Sequence, residues 1–219
     1  MTVVIEAAVE SLAAALAAAR GGADRLELCA NLDVGGTTPS AELFAAVKSR
    51  VDIPVFAMIR PRGGSFIYTA AERDAMRRDI ALVRQYEADG IVLGLLDERS
   101  RIDTTAVRDV LGDAGDLPVT FHRAFDEIAD RHSALDTLIE LGIDRVLTSG
   151  GAPTALAGAE SIRAFVEHGG DAIRIMAGGG VRAHNAGDLV RRTGVRELHA
   201  RCELDPARIS EMRQALESA

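Results

Sequence analysis

Residues 145–180 read RVLTSGGAPTALAGAESIRAFVEHGGDAIRIMAGGG, and this stretch carries the pattern that decides the fold. The aliphatic run Arg145–Ser149 predicts a β-strand, and the alanine-rich segment Ala155–His168 predicts a helix that ends at Gly169-Gly170. Ala172–Ala177 predicts the next strand. A strand, a helix and a second strand at this spacing are typical of a βαβ unit, in which the two strands run parallel.

The same unit recurs on both sides of this stretch. The predicted strands are Val3–Ala8, Arg25–Cys29, Ile53–Arg60, Gly90–Leu96, Val119–His122, Arg145–Ser149, Ala172–Ala177 and Glu197–Arg201. The predicted helices are Ser11–Arg20, Pro39–Val47, Ala70–Tyr86, Thr104–Leu111, Ser133–Leu141, Ala155–His168, Ala183–Arg192 and Pro206–Leu216. Strict alternation predicts a parallel sheet covered by helices, and eight units close a (β/α)8 TIM barrel. A doubly wound open sheet uses the same alternation, but eight units without a GxGxxG motif after the first strand favour the barrel. We therefore predict a single α/β domain over residues 1–219.

Composition narrows the class of protein. Hydrophobic residues make up 47% and charged residues 26% of the 219, which is typical of a globular chain with a substantial core. The net charge of −8 argues against a nucleic-acid partner, which would need a basic face. The sequence contains no run of about 18 apolar residues, so no membrane span is predicted. The N-terminal segment carries Glu6 and Glu10 and lacks a basic region, so no signal peptide is predicted.

Polar side chains recur where the predicted strands end, which is where barrel enzymes place their active sites. The candidates for acid–base catalysis are Glu6, Glu27, His122, Asp126 and His199. The candidates for binding an anionic substrate are Arg60, Arg62, Arg123, Ser149, Gly150, Gly178, Gly179 and Asn185. The last strand also carries Glu197 and Arg201. Ionisable residues inside a barrel cost desolvation unless they are paired, so this many of them favours a functional site.

The ionisable candidates also have a structural interpretation. Glu6 and Glu27 could pair with Arg60 and Arg123 inside the barrel, with no catalytic role. His122 could be a core histidine hydrogen-bonded to a neighbouring carbonyl group.

Three loop residues have a structural interpretation too. Arg62 could be a solvated loop charge, Asp126 could cap a helix, and Asn185 could cap the seventh helix rather than reach the site.

Two glycine-rich loops follow the sixth and seventh strands: Ser149-Gly150-Gly151 and Gly178-Gly179-Gly180. Glycine lets backbone N–H groups converge on an anion, and barrels often bind phosphate near the last two strands. With the arginines, these loops predict a pocket for a phosphate or carboxylate. The alternative is that the glycines only form tight turns between strands and helices.

Several blocks of sequence together resemble a known family. They are ELCANL at 27–32, GGTTPS at 35–40, MIRPRGG at 58–64, TFHRAFD at 120–126, LTSGG at 147–151, MAGGGV at 176–181, Asn185, and ELH at 197–199. In this order, over nearly the whole chain, they resemble the CutC copper-homeostasis family. Ala177 stands where the family commonly has proline, and the C-terminus is shorter than in the longer members.

The resemblance implies a cytoplasmic barrel protein that forms a homodimer or a higher homo-oligomer, with a role in copper tolerance and, in some members, copper binding. Cys29 is the candidate copper ligand, because Cu(I) prefers thiolate and thioether ligands. The sequence has no CxxC cluster. The set of Arg, Glu and His residues instead suits an enzyme that acts by acid–base chemistry on a small anionic metabolite, such as a phosphorylated one. Both hypotheses remain open at this point.

Strand alternation makes a further prediction about the two cysteines. Glu27 and Cys29 lie on one face of the second strand, and we place them inside the barrel. If His199 on the last strand faces the interior of the barrel, Cys202 faces the helices. The first strand also separates these two strands by about 10 Å, so the cysteines are not expected to form a two-thiolate metal site within one chain.

Overall fold

The structure, a computed structural model, describes residues 3–202 and 207–218. The strands are β1 Val4–Val9, β2 Arg25–Leu28, β3 Val55–Met58, β4 Gly90–Leu93, β5 Val119–Phe121, β6 Arg145–Thr148, β7 Arg174–Gly178 and β8 Glu197–Arg201. The α-helices are α1 Leu12–Arg20, α2 Ala41–Lys48, α3 Ala70–Gln85, α4 Thr104–Leu111, α5 Arg131–Glu140, α6 Ala159–Gly169, α7 Ala183–Thr193 and α8 Ala207–Glu217. Two short 3₁₀ segments, Leu32–Val34 and Arg123–Glu127, lie in the loops that follow β2 and β5.

The eight strands form a closed barrel in sequence order, and every neighbouring pair is parallel. Pairing between β1 and β8 closes it, with Glu6 opposite His199. The predicted (β/α)8 fold is therefore confirmed. None of the helices described is long and apolar enough to cross a membrane.

Most element boundaries differ from the prediction by a few residues, and two of these differences have a visible local cause. β3 ends at Met58 rather than Arg60, because the Arg60 N–H leaves the strand ladder and donates to Thr38 Oγ1 at 2.9 Å. Helix α6 begins at Ala159 rather than Ala155, because the Ala155 N–H donates to the Gly179 carbonyl at 2.8 Å and ties this segment to the β7 loop. Pro206, predicted to start the last helix, lies outside the described residues.

Successive side chains of each strand point alternately into two apolar layers, one on each side of the barrel wall. The larger core lies between barrel and helices and contains Cys202. A small cluster inside the barrel contains Cys29, Phe56, Met58 and Val92. The two cysteines therefore lie on opposite sides of the barrel wall, as strand alternation predicts.

A buried ionic cluster fills the barrel at the N-terminal ends of its strands. Arg25 donates to Glu6 Oε2 through Nε and to Glu197 Oε2 through Nη2, the latter at 2.7 Å. Arg145 donates to both oxygens of Glu197. The partner of Glu6 is thus Arg25, and the predicted pairing of Glu6 with Arg60 or Arg123 is wrong. Because buried charges need such pairing, these residues can stay ionised inside the barrel, and we call them its ionic floor.

Candidate functional site

A cavity of about 620 Å³ opens at the C-terminal mouth of the barrel. The predicted site residues that line it are Glu27, Arg60, His122, Arg123, Asp126, Gly179 and His199. The other lining residues are Ala8, Leu32, Val34, Gly35, Met58, Phe66, Glu127, Leu147, Gly151, Ala152, Gly180, Val181, Arg182, Ala200 and Arg201. Glu6 does not line the cavity and lies deeper in the barrel than the lining residues. The mouth therefore brings together side chains from strands that are far apart in sequence.

Barrel closure places His199 between two carboxylates. His199 Nδ1 lies 2.8 Å from Glu6 Oε1, and its Nε2 lies 3.7 Å from Glu27 Oε2. Burial would lower the pKa of His199, but the charges of Glu27 and Glu6 outweigh this and raise it above its ordinary value. Burial would raise the pKa of Glu6, but Arg25 and His199 bring it down to about 2. Glu6 is thus ionised and holds the imidazole ring in place.

Glu27 combines deep burial with an unused oxygen. Its Oε2 accepts a weak hydrogen bond from Cys29 Sγ at 3.4 Å, while its Oε1 is buried and has no hydrogen-bond partner. Burial raises the pKa of Glu27 above its ordinary value, although the charge of His199 opposes this. A carboxylate with a raised pKa and a free oxygen at a cavity wall is suited to accept a proton.

His122, which also lines the cavity, has a second buried polar atom without a partner. Its Nδ1 accepts the Ala124 N–H at 3.2 Å, which assigns the ring proton of the neutral form to Nε2. Nε2 is buried and has no partner. Burial and the charge of Arg60 lower the pKa of His122 to about 3, so the ring is neutral at physiological pH. A methyl group on Gly94 would lie 2.4 Å from the His122 ring, so only glycine leaves room for it there. His122 is therefore a neutral N–H donor.

Arg60 lines the cavity but is mostly committed to the loops around it. Its Nη1 donates to the carbonyls of Val34 and Gly36, and its Nη2 donates to the carbonyl of Gly64. The guanidinium group also stacks over the Phe66 ring at 4.8 Å. Only Nε lacks a partner. In this structure Arg60 supplies positive charge at the cavity wall and fixes the loops after β2 and β3, and its binding of an anionic substrate stays a prediction.

Arg62 and Asn185 do not reach the cavity. Arg62 donates to Glu72 Oε1 at 2.6 Å and to two loop carbonyls, and it stacks over Tyr68. Asn185 Oδ1 accepts the Arg182 N–H at 2.8 Å and so caps helix α7. The helix-cap alternative describes Asn185, whereas Arg62 is neither a cavity residue nor a merely solvated charge, because it pairs with Glu72 and the loop carbonyls. The structure gives neither side chain a contact with the cavity.

The glycine loop after β6 is occupied by a carboxylate of the protein itself. Asp126 accepts the N–H groups of Ser149 and Gly151 and the hydroxyls of Thr148 and Ser149. The Gly150 N–H donates to Thr148 Oγ1. Arg123 completes the arrangement by donating to Asp126 Oδ2 at 2.9 Å. Ser149 and Gly150 thus have their donors satisfied internally and do not form the predicted anion cradle.

The glycine loop after β7 has a different environment. Gly178 lies too close to Leu147 for a side chain, with 2.5 Å between an added methyl group and Leu147 Cδ1, so its role is packing. Gly179 and Gly180 line the cavity.

The cavity rim includes two arginines that the predicted site left out. They are Arg182, just before α7, and Arg201, at the end of β8. The sequence held a signal for Arg201, since strand alternation places it on the face of His199. Arg182 gave no such signal because it lies in a loop.

The surroundings of Cys29 indicate how well the site suits copper. Its thiol is buried, and burial together with the charge of Glu27 raises the pKa of Cys29 well above its ordinary value. A methyl group on Gly36 would contact both Cys29 Sγ and Met58 Cε, so the thiol and the terminal methyl group of the thioether lie near the same point. Cys202 lies in the outer layer. Among the described residues this place offers one protonated thiol and one thioether, which suits Cu(I) less well than a pair of thiolates.

Comparisons with known proteins give a consistent result. The model of the CutC family matches residues 3–203. A family protein CutC from Xanthomonas campestris pv. campestris (strain 8004) is 48% identical over 196 residues, covering 90% of this chain and 82% of the relative. The copper homeostasis protein cutC homolog from Homo sapiens is 46% identical, covering 89% of this chain and 71% of the relative. A crystal structure of CutC from Streptococcus agalactiae has a TM-score of 0.88 at 36% identity, covering 95% of this chain and all of the other.

Proposed function

The chain belongs to the CutC family of copper homeostasis proteins, and from that premise we propose that its barrel mouth binds a small anionic metabolite and transfers a proton on it. One observation carries the proposal. Two buried polar atoms without partners, Glu27 Oε1 and His122 Nε2, belong to residues that line the same cavity. Buried polar groups are almost always satisfied, so unsatisfied ones at a cavity wall point to a ligand.

The proposed roles follow from protonation states. Glu27 accepts a proton from the ligand at Oε1, and the neighbouring His199 stabilises the carboxylate form. His122 donates a hydrogen bond from Nε2 to a ligand oxygen on which negative charge develops. Glu6 does not touch the ligand and acts by positioning His199.

A thermal-shift screen of phosphorylated and carboxylated metabolites tests this function. It uses the wild type, Glu27→Gln and His122→Gln, with exposed Glu98→Gln and His184→Gln as matched controls. We expect a metabolite to stabilise the wild type and both controls but to lose most of its effect in both site variants. Incorporation of deuterium from D2O into that metabolite, followed by NMR, then reports proton transfer. An equal stabilisation of all five proteins would contradict the proposal.

Copper binding is a second candidate, favoured by the convergence of Cys29 and Met58 on one point inside the barrel. Cu(I), held reduced, belongs in the same screen as the metabolites. A shift that Cys29→Ser abolishes would support copper as the ligand of this chain.

We also propose that residues 1–219 form one domain and that the chain works as a homodimer in the cytoplasm. The family resemblance supports the dimer and the location. Light scattering at micromolar concentration tests the dimer, and a monomeric mass would refute it.

A further inference from the structure

The glycine loops after β6 and β7 are similar in sequence, but their backbone N–H groups differ in availability. In the β6 loop, the amides of Ser149 and Gly151 donate to Asp126. In the β7 loop, the N–H groups of Gly179 and Gly180 have no acceptor among the described residues. The β6 loop thus shows what such a loop binds, namely an anionic group.

The β7 loop is held rigidly by its carbonyl groups. Gly179 O accepts the Ala155 N–H at 2.8 Å, and Gly180 O accepts Asn185 Nδ2 at 3.0 Å. In a trans peptide the N–H points opposite to the carbonyl, so the Gly180 N–H points away from Ala155. Positive φ angles of 107° and 73° at Gly179 and Gly180 give this loop a conformation that other residues rarely adopt. The donors are therefore held in place before any ligand arrives.

Positive charge stands beside these amides. A methyl group on Gly179 would lie 3.7 Å from Arg123 Cζ, which places that guanidinium group against the loop. Arg123 uses Nε and Nη2 for Asp126 and Ser149. Arg182 lines the cavity two residues after Gly180, and among the described residues its Nη1 donates a hydrogen bond to the adjacent Val181 carbonyl.

We propose that Gly179, Gly180, Arg123 and Arg182 bind the phosphate group of a phosphate monoester. A tetrahedral dianion can accept from two amides and two guanidinium groups at once, whereas a planar carboxylate offers two oxygens. The proposal rests on the proposed function in one respect: the remainder of the ligand extends to Glu27 and His122, which line the same cavity and each have a buried atom without a partner. The substrate class is therefore a small phosphorylated metabolite.

Calorimetric titration with inorganic phosphate tests the subsite, with acetate as the carboxylate probe. We expect Arg182→Ala to weaken phosphate binding by about tenfold, since charge-assisted hydrogen bonds are the strong ones. Arg191→Ala on helix α7, whose side chain pairs with Asp188, is the matched control and should bind as the wild type does. Acetate should bind more weakly than phosphate.

A pair of variants at Gly180 separates charge from shape. Asn and Asp tolerate positive φ better than other residues, so Gly180→Asn and Gly180→Asp impose the same backbone strain. We expect Gly180→Asp to abolish phosphate binding by placing a carboxylate in the loop, as Asp126 does in the other loop, and Gly180→Asn to retain part of it. Equal binding in these variants, or no effect of Arg182→Ala, overturns the subsite.

Glu27→Gln keeps the subsite and the proposed function distinguishable. We expect this variant to bind inorganic phosphate as the wild type does, because Glu27 is not part of the subsite. If Glu27→Gln loses metabolite turnover but Arg182→Ala leaves phosphate binding unchanged, the proposed function is supported and the subsite is refuted. If phosphate binding depends on Arg182 as expected but Glu27→Gln does not change stabilisation by the metabolite, the subsite is supported and the proposed function is refuted.

Discussion

Glu6 on the first strand and His199 on the last strand lie opposite each other in the closed barrel, with 2.8 Å between Glu6 Oε1 and His199 Nδ1. The pair is 193 residues apart in sequence and exists only because the barrel closes. Glu6 also accepts from Arg25, so one buried carboxylate connects the ionic floor of the barrel to the functional cavity.

Replacing Glu6 by Gln should lower both stability and the pKa of His199. The change leaves Arg25 without one of its buried partners, and breaking a buried ion pair costs about 3 kcal/mol of unfolding free energy. It also removes a negative charge that raises the pKa of His199. Urea unfolding measures the first effect and NMR titration of the ring the second. An unchanged His199 pKa would show that Glu6 does not control the ring.

The contribution of Glu6 should depend on pH in a defined direction. Its pKa is about 2 in the folded chain against an ordinary value of 4.5, so the folded state favours the ionised form. The stability that Glu6 adds is therefore present above about pH 4.5 and is lost as the pH falls towards 2. The difference in unfolding free energy between the wild type and Glu6→Gln should shrink over this range. A difference that stays constant from pH 6 to pH 3 would contradict the assignment.

His122 should remain neutral throughout the physiological range. Burial and the charge of Arg60 lower its pKa to about 3, and the Ala124 N–H bond to Nδ1 fixes the proton on Nε2. Nitrogen-15 NMR of the imidazole should show this tautomer without titration between pH 5 and 8. The urea-unfolded chain serves as the control, because there the ring should titrate near 6.5. A folded-state titration in that range would remove His122 as a neutral donor.

Asp126 should be a stabilising residue as well as a lining residue of the cavity. Its carboxylate accepts from the amides and hydroxyls of the β6 loop, so Asp126→Ala removes the acceptor of the buried residues Thr148 and Ser149. We expect a loss of about 3 kcal/mol in unfolding free energy. Asp188→Ala, which breaks only exposed pairs at 3.7 and 3.8 Å, should cost about 0.5 kcal/mol or less. Equal losses in chemical denaturation would speak against a bound internal anion.

Copper should not bind tightly through both cysteines of one chain. Cys29 faces the barrel interior and Cys202 faces the helices, so the wall of the barrel separates the two thiols. Competition of Cu(I) against a chromogenic chelator, on the wild type, Cys29→Ser and Cys202→Ser, measures this. We expect Cys202→Ser to bind as the wild type does. Tight one-to-one binding that both variants lose equally would prove the prediction wrong and favour copper handling over the enzyme hypothesis.

The fold and the facing of the strand residues could be predicted from the sequence because both depend on local periodicity. Alternation with a period of two residues places Cys29 inside the barrel, and the end of the last predicted strand places Cys202 outside. The repeat of strand and helix decides the parallel arrangement, and eight repeats decide closure. These features need no knowledge of which residues meet.

The partners of each charged group could not be predicted, because they depend on contacts between distant segments. Two glycine loops of similar sequence receive opposite roles, since Asp126 from the loop after β5 fills one and the described residues leave the amides of Gly179 and Gly180 open in the other. Likewise Arg25, not Arg60, neutralises Glu6, because the strand register sets Glu6 beside Arg25 on the neighbouring strand. Strand periodicity thus determines which way a side chain points, whereas barrel register and loop packing determine which groups it contacts.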